Sequence, residues 1–125
     1  MDFFLSETEQ IILNLLWQNQ RWMQGVEFWE YFNKNIKSSK RQTINTYLTR
    51  MVEKGLLVKN GKKYMYTYTK KEWEEKKANE ILNTMYEGSL KKFITALTGN
   101  KKINKKEAES LKNYLNQFND DDPSL

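Results

Sequence analysis

The chain has 125 residues, 21 Lys and Arg against 16 Asp and Glu for a formal charge of +5, and four Trp, seven Tyr and six Phe. This length allows one modest core with an appended helical segment and excludes two large domains. Cysteine and histidine are both absent, which removes disulfides, thiolate and imidazole chemistry and the common zinc sites, so the chain is read as a non-enzyme with no catalytic residue, metal or cofactor. The charge is unevenly spread. Between Lys34 and Lys70 ten bases (Lys34, Lys37, Lys40, Arg41, Arg50, Lys54, Lys59, Lys62, Lys63 and Lys70) stand against one acid, Glu53, whereas residues 1–33 hold Arg21 against five acids and residues 71–125 hold ten of each. A local excess of this size is the footprint of a nucleic-acid partner, and a lysine-rich solvated face is the bland alternative. No apolar run approaches the ~20 residues of a membrane span. The opening MDFFLSETEQ is acidic where a signal peptide would be basic, and the expectation is a mature cytoplasmic chain with no membrane partner.

Ser6 followed by Glu9 has the spacing at which the two side chains cap each other's backbone, so a first helix is predicted from there, with Ile11, Ile12, Leu15 and Leu16 as its buried stripe and Trp17 near its end. Arg21 to Met23 is short and suited to a third strand beside a later hairpin. Gly25 opens a second helix with Val26, Trp29, Tyr31 and Phe32 at its apolar positions. Ser38 or Ser39 is the expected N-cap of a third helix that runs to Glu53 or Lys54 and stops at Gly55. Ile44, Leu48, Met51 and Val52 share its apolar face. The other face shows Lys40, Arg41, Gln42, Thr43, Asn45, Thr46, Thr49 and Arg50, groups suited to a major groove: Arg bonds guanine bidentately, Asn and Gln bond adenine, and Thr reaches phosphate or a thymine methyl.

Leu56–Asn60 and Lys63–Thr69 read as two strands, with a tight turn at the Asn60-Gly61 step and Lys62 and Lys63 at the tip for phosphate contacts. Tyr64, Tyr66 and Tyr68 share one face by the two-residue period; a half-buried sheet face is preferred to base stacking, and Tyr64 stays among the DNA-binding candidates. From Lys70 the pattern turns helical. Trp73, Ile81, Leu82 and Met85 lie on a charged helix ending near Gly88. Ser89 caps a run with Leu90, Phe93, Ile94 and Leu97. After a loop over residues 99–102, Asn104 and Glu107 cap a last helix with Leu111, Tyr114, Leu115 and Phe118, followed by an acidic tail, Asp120 to Asp122 and Pro123. These stripes are too narrow to fold alone, and dimerisation through them is favoured over wrapping back on the N-terminal part. The fold class expected is mainly α with a small antiparallel sheet: a winged helix-turn-helix over residues 1–70 and a helical dimerisation segment over 71–125.

In order and spacing these pieces resemble the bacterial penicillinase and methicillin-resistance repressors, a family with copper-responsive relatives, from Leu5 to about Phe118. Leu5-Ser6-Glu7-Thr8-Glu9 and Leu16-Trp17 are similar to its opening segment. The run from Gln42 to Leu56 is similar to its recognition helix, Tyr64-Met65-Tyr66 to its wing, and Gly88-Ser89-Leu90 to its step into the next helix. The resemblance implies a homodimeric repressor on a palindromic double-stranded operator, with Thr43, Thr46 and Arg50 at DNA-facing positions. Gln42 replaces the usual Lys, with Lys40 and Arg41 nearby. The Cys-rich metal site of the copper-responsive branch is missing. In the antibiotic-responsive branch a sensor-linked protease cuts the helix after Gly-Ser, and that bond aligns with Ala96-Leu97 here. Two alternatives stand beside this reading: a winged-helix regulator of another family controlled by a small ligand, and a winged-helix module used only for protein assembly.

Overall fold

The Ser6–Glu9 pair starts the first helix as its spacing predicts. The Glu9 N–H donates to Ser6 Oγ at 3.2 Å and the Ser6 N–H donates to Glu9 Oε1 at 3.0 Å, so α1 spans Glu7–Asn19. The structure is a computed structural model that describes residues 4–99 and 102–118; the middle of the expected 99–102 loop and the acidic tail from Asp120 to Pro123 lie outside them. After α1 come β1 (Met23–Gln24), α2 (Gly25–Asn35), α3 (Arg41–Glu53), β2 (Leu57–Asn60), β3 (Lys63–Tyr66), α4 (Lys70–Tyr86), α5 (Leu90–Thr98) and α6 (Lys105–Asn116). This is the expected class, mainly α with a three-stranded antiparallel sheet ordered β1-β3-β2. Two compact units meet between Glu80 and Ile81, inside α4 and beyond the composition shift near residue 70.

The core of the first unit is built from helical stripes. Ile12, Leu13, Leu15 and Leu16 come from α1, Phe28 and Phe32 from α2, and Ile44, Leu48 and Met51 from α3, closed by Met23, Leu56, Leu57, Tyr64 and Trp73. Two assignments shift. Leu13 is buried where Ile11 was expected and Ile11 is only half-buried; in α2, Phe28 is fully buried while Trp29 and Tyr31 pack against the edge of the core and Val26 is half-buried. Trp17 anchors the far side, its Nε1–H donating to the Tyr68 carbonyl at 3.0 Å.

Neither Ser38 nor Ser39 caps α3. The N-cap is Lys40, which provides no side-chain hydrogen bond, because Ser39 is already committed elsewhere: its hydroxyl donates back to the Lys37 carbonyl, and its backbone bonds to side chains of α2. The C-terminal end follows expectation, with Gly55 at φ +79 just past Lys54. In the hairpin, Asn60 pairs with Lys63, so the two loop residues are Gly61 and Lys62, one position later than the Asn60-Gly61 step. Gly61 has φ +61 and Lys62 is not among the positive-φ residues, the pattern of a type II′ turn. A reciprocal cap unrecognised in the sequence starts α4: the Thr69 N–H donates to Glu72 Oε1 at 2.9 Å and the Glu72 N–H to Thr69 Oγ1 at 3.1 Å.

Glu9 does more than cap α1. Its other carboxylate oxygen lies 2.9 Å from Lys54 Nζ, so it joins the start of α1 to the C-cap of α3, and it is the one buried charged residue among those described. Each charge also complements the helix end on which it sits. Burial alone would raise the Glu9 pKa, but Lys54 and the Ser6 backbone and hydroxyl together outweigh it and the net shift is downward. A carboxyl whose pKa is lower in the folded state stabilises the fold above its unfolded value, and that contribution fades as pH falls through the folded value. Glu9→Gln is therefore expected to cost about 1–3 kcal/mol near pH 7. The urea midpoints of variant and wild type should converge as pH falls through the folded-state value of Glu9; a gap that persists in acid, below that value, would assign the loss to packing.

The second unit has a different character. Ser89 accepts the Lys92 N–H at 3.1 Å and Asn104 accepts the Glu107 N–H at 2.7 Å, so α5 and α6 begin where expected. Tyr86 meets Phe93 edge-on at 5.4 Å and Tyr114 lies 4.9 Å from Phe118. No described residue from Ile81 onward is buried.

Candidate nucleic-acid interface

On α3 the residues at i, i+4 and i+7 (Ile44, Leu48 and Met51) are buried to 2% exposure or less, which turns the polar positions outward. Gln42, Asn45, Thr46, Thr49, Arg50 and Glu53 line one continuous shallow strip along that side. Thr46 donates its hydroxyl back to the Gln42 carbonyl at 2.9 Å. Gln42, Asn45, Thr49 and Arg50 make no side-chain hydrogen bond or ion pair with any described residue. Amide, hydroxyl and guanidinium groups held on a rigid helix with their hydrogen-bonding capacity unspent are the chemistry that base edges and phosphates require.

Beside this strip lies an open concavity of about 260 Å³ where three elements meet. The start of α2 contributes Gln24, Gly25 and Val26, α3 contributes Arg41, Asn45 and Thr49, and the hairpin contributes Lys59, Lys62 and Tyr64. Gly25 permits the close approach: a Cβ there would lie 3.3 Å from Asn45 Oδ1 and 3.7 Å from Leu48 Cδ1. Three cations, Arg41, Lys59 and Lys62, thus border one depression.

Tyr64 is a correction. It is 6% exposed, meets Phe28 edge-on at 6.3 Å and carries Lys59 Nζ 5.5 Å above its ring, so it floors the concavity as a core residue and offers no face for base stacking. The other DNA-binding candidates separate by location. Arg41, Asn45 and Lys62 border the concavity, and Gln42, Thr46 and Arg50 lie on the strip. Lys63 pairs with Gln24 and Asn60 and so stands on the opposite sheet face from Tyr64, with its charge toward Glu27. A 2.7 Å hydrogen bond from Arg21 holds the Glu27 carboxyl below its ordinary range against the opposing effect of burial, aided by the Gln24 N–H and by Lys63. Lys40 is exposed at the N-cap. Thr43 lines a separate groove with Glu7, Ile11, Phe32 and Tyr47. Lys59, Gln24 and Val26 were not among the DNA-binding candidates read from the sequence: Val26 was read only as an apolar helix position, and Lys59 had signalled only through the charge count, since its place opposite Tyr64 follows from strand register.

Among the residues assigned to dimerisation, Trp73 departs from the group. It is 3% exposed within the first unit's core and packs near Tyr68, with ring centroids 6.4 Å apart, leaving no free face for a partner. Met85, Leu90, Leu97, Tyr114, Leu115 and Phe118 are between 40% and 64% exposed, and Ile81, Leu82, Phe93, Ile94 and Leu111 are half-buried. Ala96 and Leu97, the expected cleavage site, are both exposed on α5.

The family model of the penicillinase repressor matches residues 5–117. The chain belongs to the penicillinase repressor family. A penicillinase repressor of Staphylococcus aureus is 26% identical over 121 residues, which cover 91% of this chain and 92% of that protein. Membership in the penicillinase repressor family marks the chain as a transcriptional repressor, and the family is a regulatory one. Among the described residues no helix is long and apolar enough to cross a membrane.

Proposed function

We propose that the chain is a sequence-specific DNA-binding repressor that acts as a homodimer on a palindromic operator, with residues 1–70 reading DNA and residues 71–125 joining two copies. One observation carries the reading. The exposed strip of α3, with Gln42, Asn45 and Arg50 free of internal partners, lies beside a concavity bordered by Arg41, Lys59 and Lys62. In this arrangement α3 enters the major groove and the hairpin lysines hold phosphate. Gln42, with amide donor and acceptor, suits adenine, and Arg50 suits guanine. Dimerisation is supported by the large apolar side chains that α4, α5 and α6 leave exposed. Relief of repression is by proteolysis at Ala96–Leu97 in α5, carried out by a sensor-linked protease.

The test is binding of purified full-length protein to duplex DNA across a salt series. Neutralising about six phosphates should lower affinity on the order of 10³-fold between 50 and 200 mM salt, and Arg50→Ala should weaken binding to the selected site by about tenfold or more. A flat salt response, or an unchanged isotherm for Arg50→Ala at fixed salt, refutes the assignment of this face. A monomer in sedimentation at micromolar concentration, with and without DNA, refutes the dimer.

A further inference from the structure

The first turn of α3 presents a puzzle of local chemistry. Its N-cap is Lys40, whose side chain bonds none of the helix's first N–H groups, so nothing in the immediate sequence pins where the helix begins. The pin comes from α2. Trp29 Nε1–H donates to the Ser39 carbonyl at 2.7 Å, Asn33 Nδ2 donates to the same oxygen at 3.3 Å, and the Ser39 N–H donates to Asn33 Oδ1 at 3.0 Å. Asn33 is itself oriented by donating to the Trp29 carbonyl at 2.8 Å. Both backbone groups of Ser39 are therefore held by side chains six and ten residues earlier. Two positions later Arg41 extends toward the same indole, its guanidinium carbon 6.0 Å from the Trp29 ring centroid, at the outer limit of a cation–π contact. Arg41 also borders the concavity with Lys59 and Lys62.

We propose that Trp29 and Asn33 are positioning residues for DNA reading. They clamp Ser39, fix the start of α3 and preorganise Arg41, so that the ordering cost of the loop and of the guanidinium is met before DNA arrives. This rests on the DNA-binding reading above. The hydrogen bonds of the clamp run between α2 and Ser39 and involve no side chain of the recognition strip, and because the Trp29 ring also packs against the core, the test variant keeps an aromatic ring there.

Trp29→Phe removes the indole N–H and keeps an aromatic ring; Asn33→Asp keeps the acceptor for the Ser39 N–H and removes the donor to its carbonyl. The probe is a fluorescently labelled duplex selected by the wild-type protein from random-sequence DNA, and thermal melting checks that each variant is folded. Each substitution is expected to weaken binding by about three- to tenfold, the size of one or two hydrogen bonds. The Trp29→Phe loss should shrink to less than about twofold in an Arg41→Ala background, a coupling that general destabilisation would not produce. Amide exchange at Ser39 should quicken without DNA in Asn33→Ala, which removes the acceptor of its N–H. A wild type that selects no duplex overturns both the DNA reading and this inference. A wild type that binds, with variants of equal affinity or a Trp29→Phe loss undiminished by Arg41→Ala, overturns this inference alone.

Discussion

Cutting the chain at Ala96–Leu97 is expected to lower operator affinity by about two to four orders of magnitude, or roughly 3–5.5 kcal/mol. Two reading units joined in one dimer bind the second half-site as an intramolecular event; once separated, each must bind alone at its own weak affinity. The cut falls in α5, a nine-residue helix with no buried residue, between an exposed Ala and a Leu at 53% exposure. Breaking it divides the apolar row of Leu90, Phe93, Ile94 and Leu97 and separates it from α6, while every residue of the first unit's core remains on the N-terminal fragment. The measurement places a specific protease site across residues 95–98 and compares cut and uncut protein by anisotropy and sedimentation. Equal affinity before and after cutting would remove the dimer from the account of operator binding.

The largest stability effect is expected from Phe28→Ala, about 3–5 kcal/mol against a typical total of about 5–15 kcal/mol for a native domain. Phe28 is fully buried and packs edge-on against Tyr64, so its removal leaves a void where α2 meets the sheet. Ile36→Ala, at 47% exposure, should cost less than about 1 kcal/mol by comparison. Urea denaturation followed by tryptophan fluorescence would rank the two. A Phe28→Ala midpoint close to that of wild type would mean that the void collapses or that the core is arranged differently.

Most features governed by neighbouring residues were legible in the sequence, the equally local Thr69–Glu72 cap being missed. The Ser6–Glu9 box, the Ser89 and Asn104 caps, Gly55 after α3 and the two strands around Gly61 all depend on residues within a few positions of one another. Features governed by distant residues were not. Ser39 has the hydroxyl of a cap, but Trp29 and Asn33 take its backbone. The Lys54–Glu9 pair joins positions 45 apart, and the Trp17–Tyr68 bond joins positions 51 apart. The candidate interface divides the same way. The polar face of α3 follows from helical period alone, whereas the burial of Tyr64 and the arrival of Lys59 in the concavity require knowing which strand faces which. Trp73 was misgrouped for a related reason: periodicity places it on the stripe of α4 but cannot say that the first turn of that helix belongs to the N-terminal core.

The lack of any buried side chain among the described residues from Ile81 onward has a consequence for how such a regulator behaves in a cell. Short helices without a covered apolar side are marginal in water, and a segment stabilised by association gains order logarithmically with the concentration of whatever associates with it. In the dimer proposed above, copy number becomes a structural variable for α5 and α6: dilution acts as a denaturant, and the threshold at which a scarce regulator falls silent is set by the same apolar surface that would hold it together when abundant.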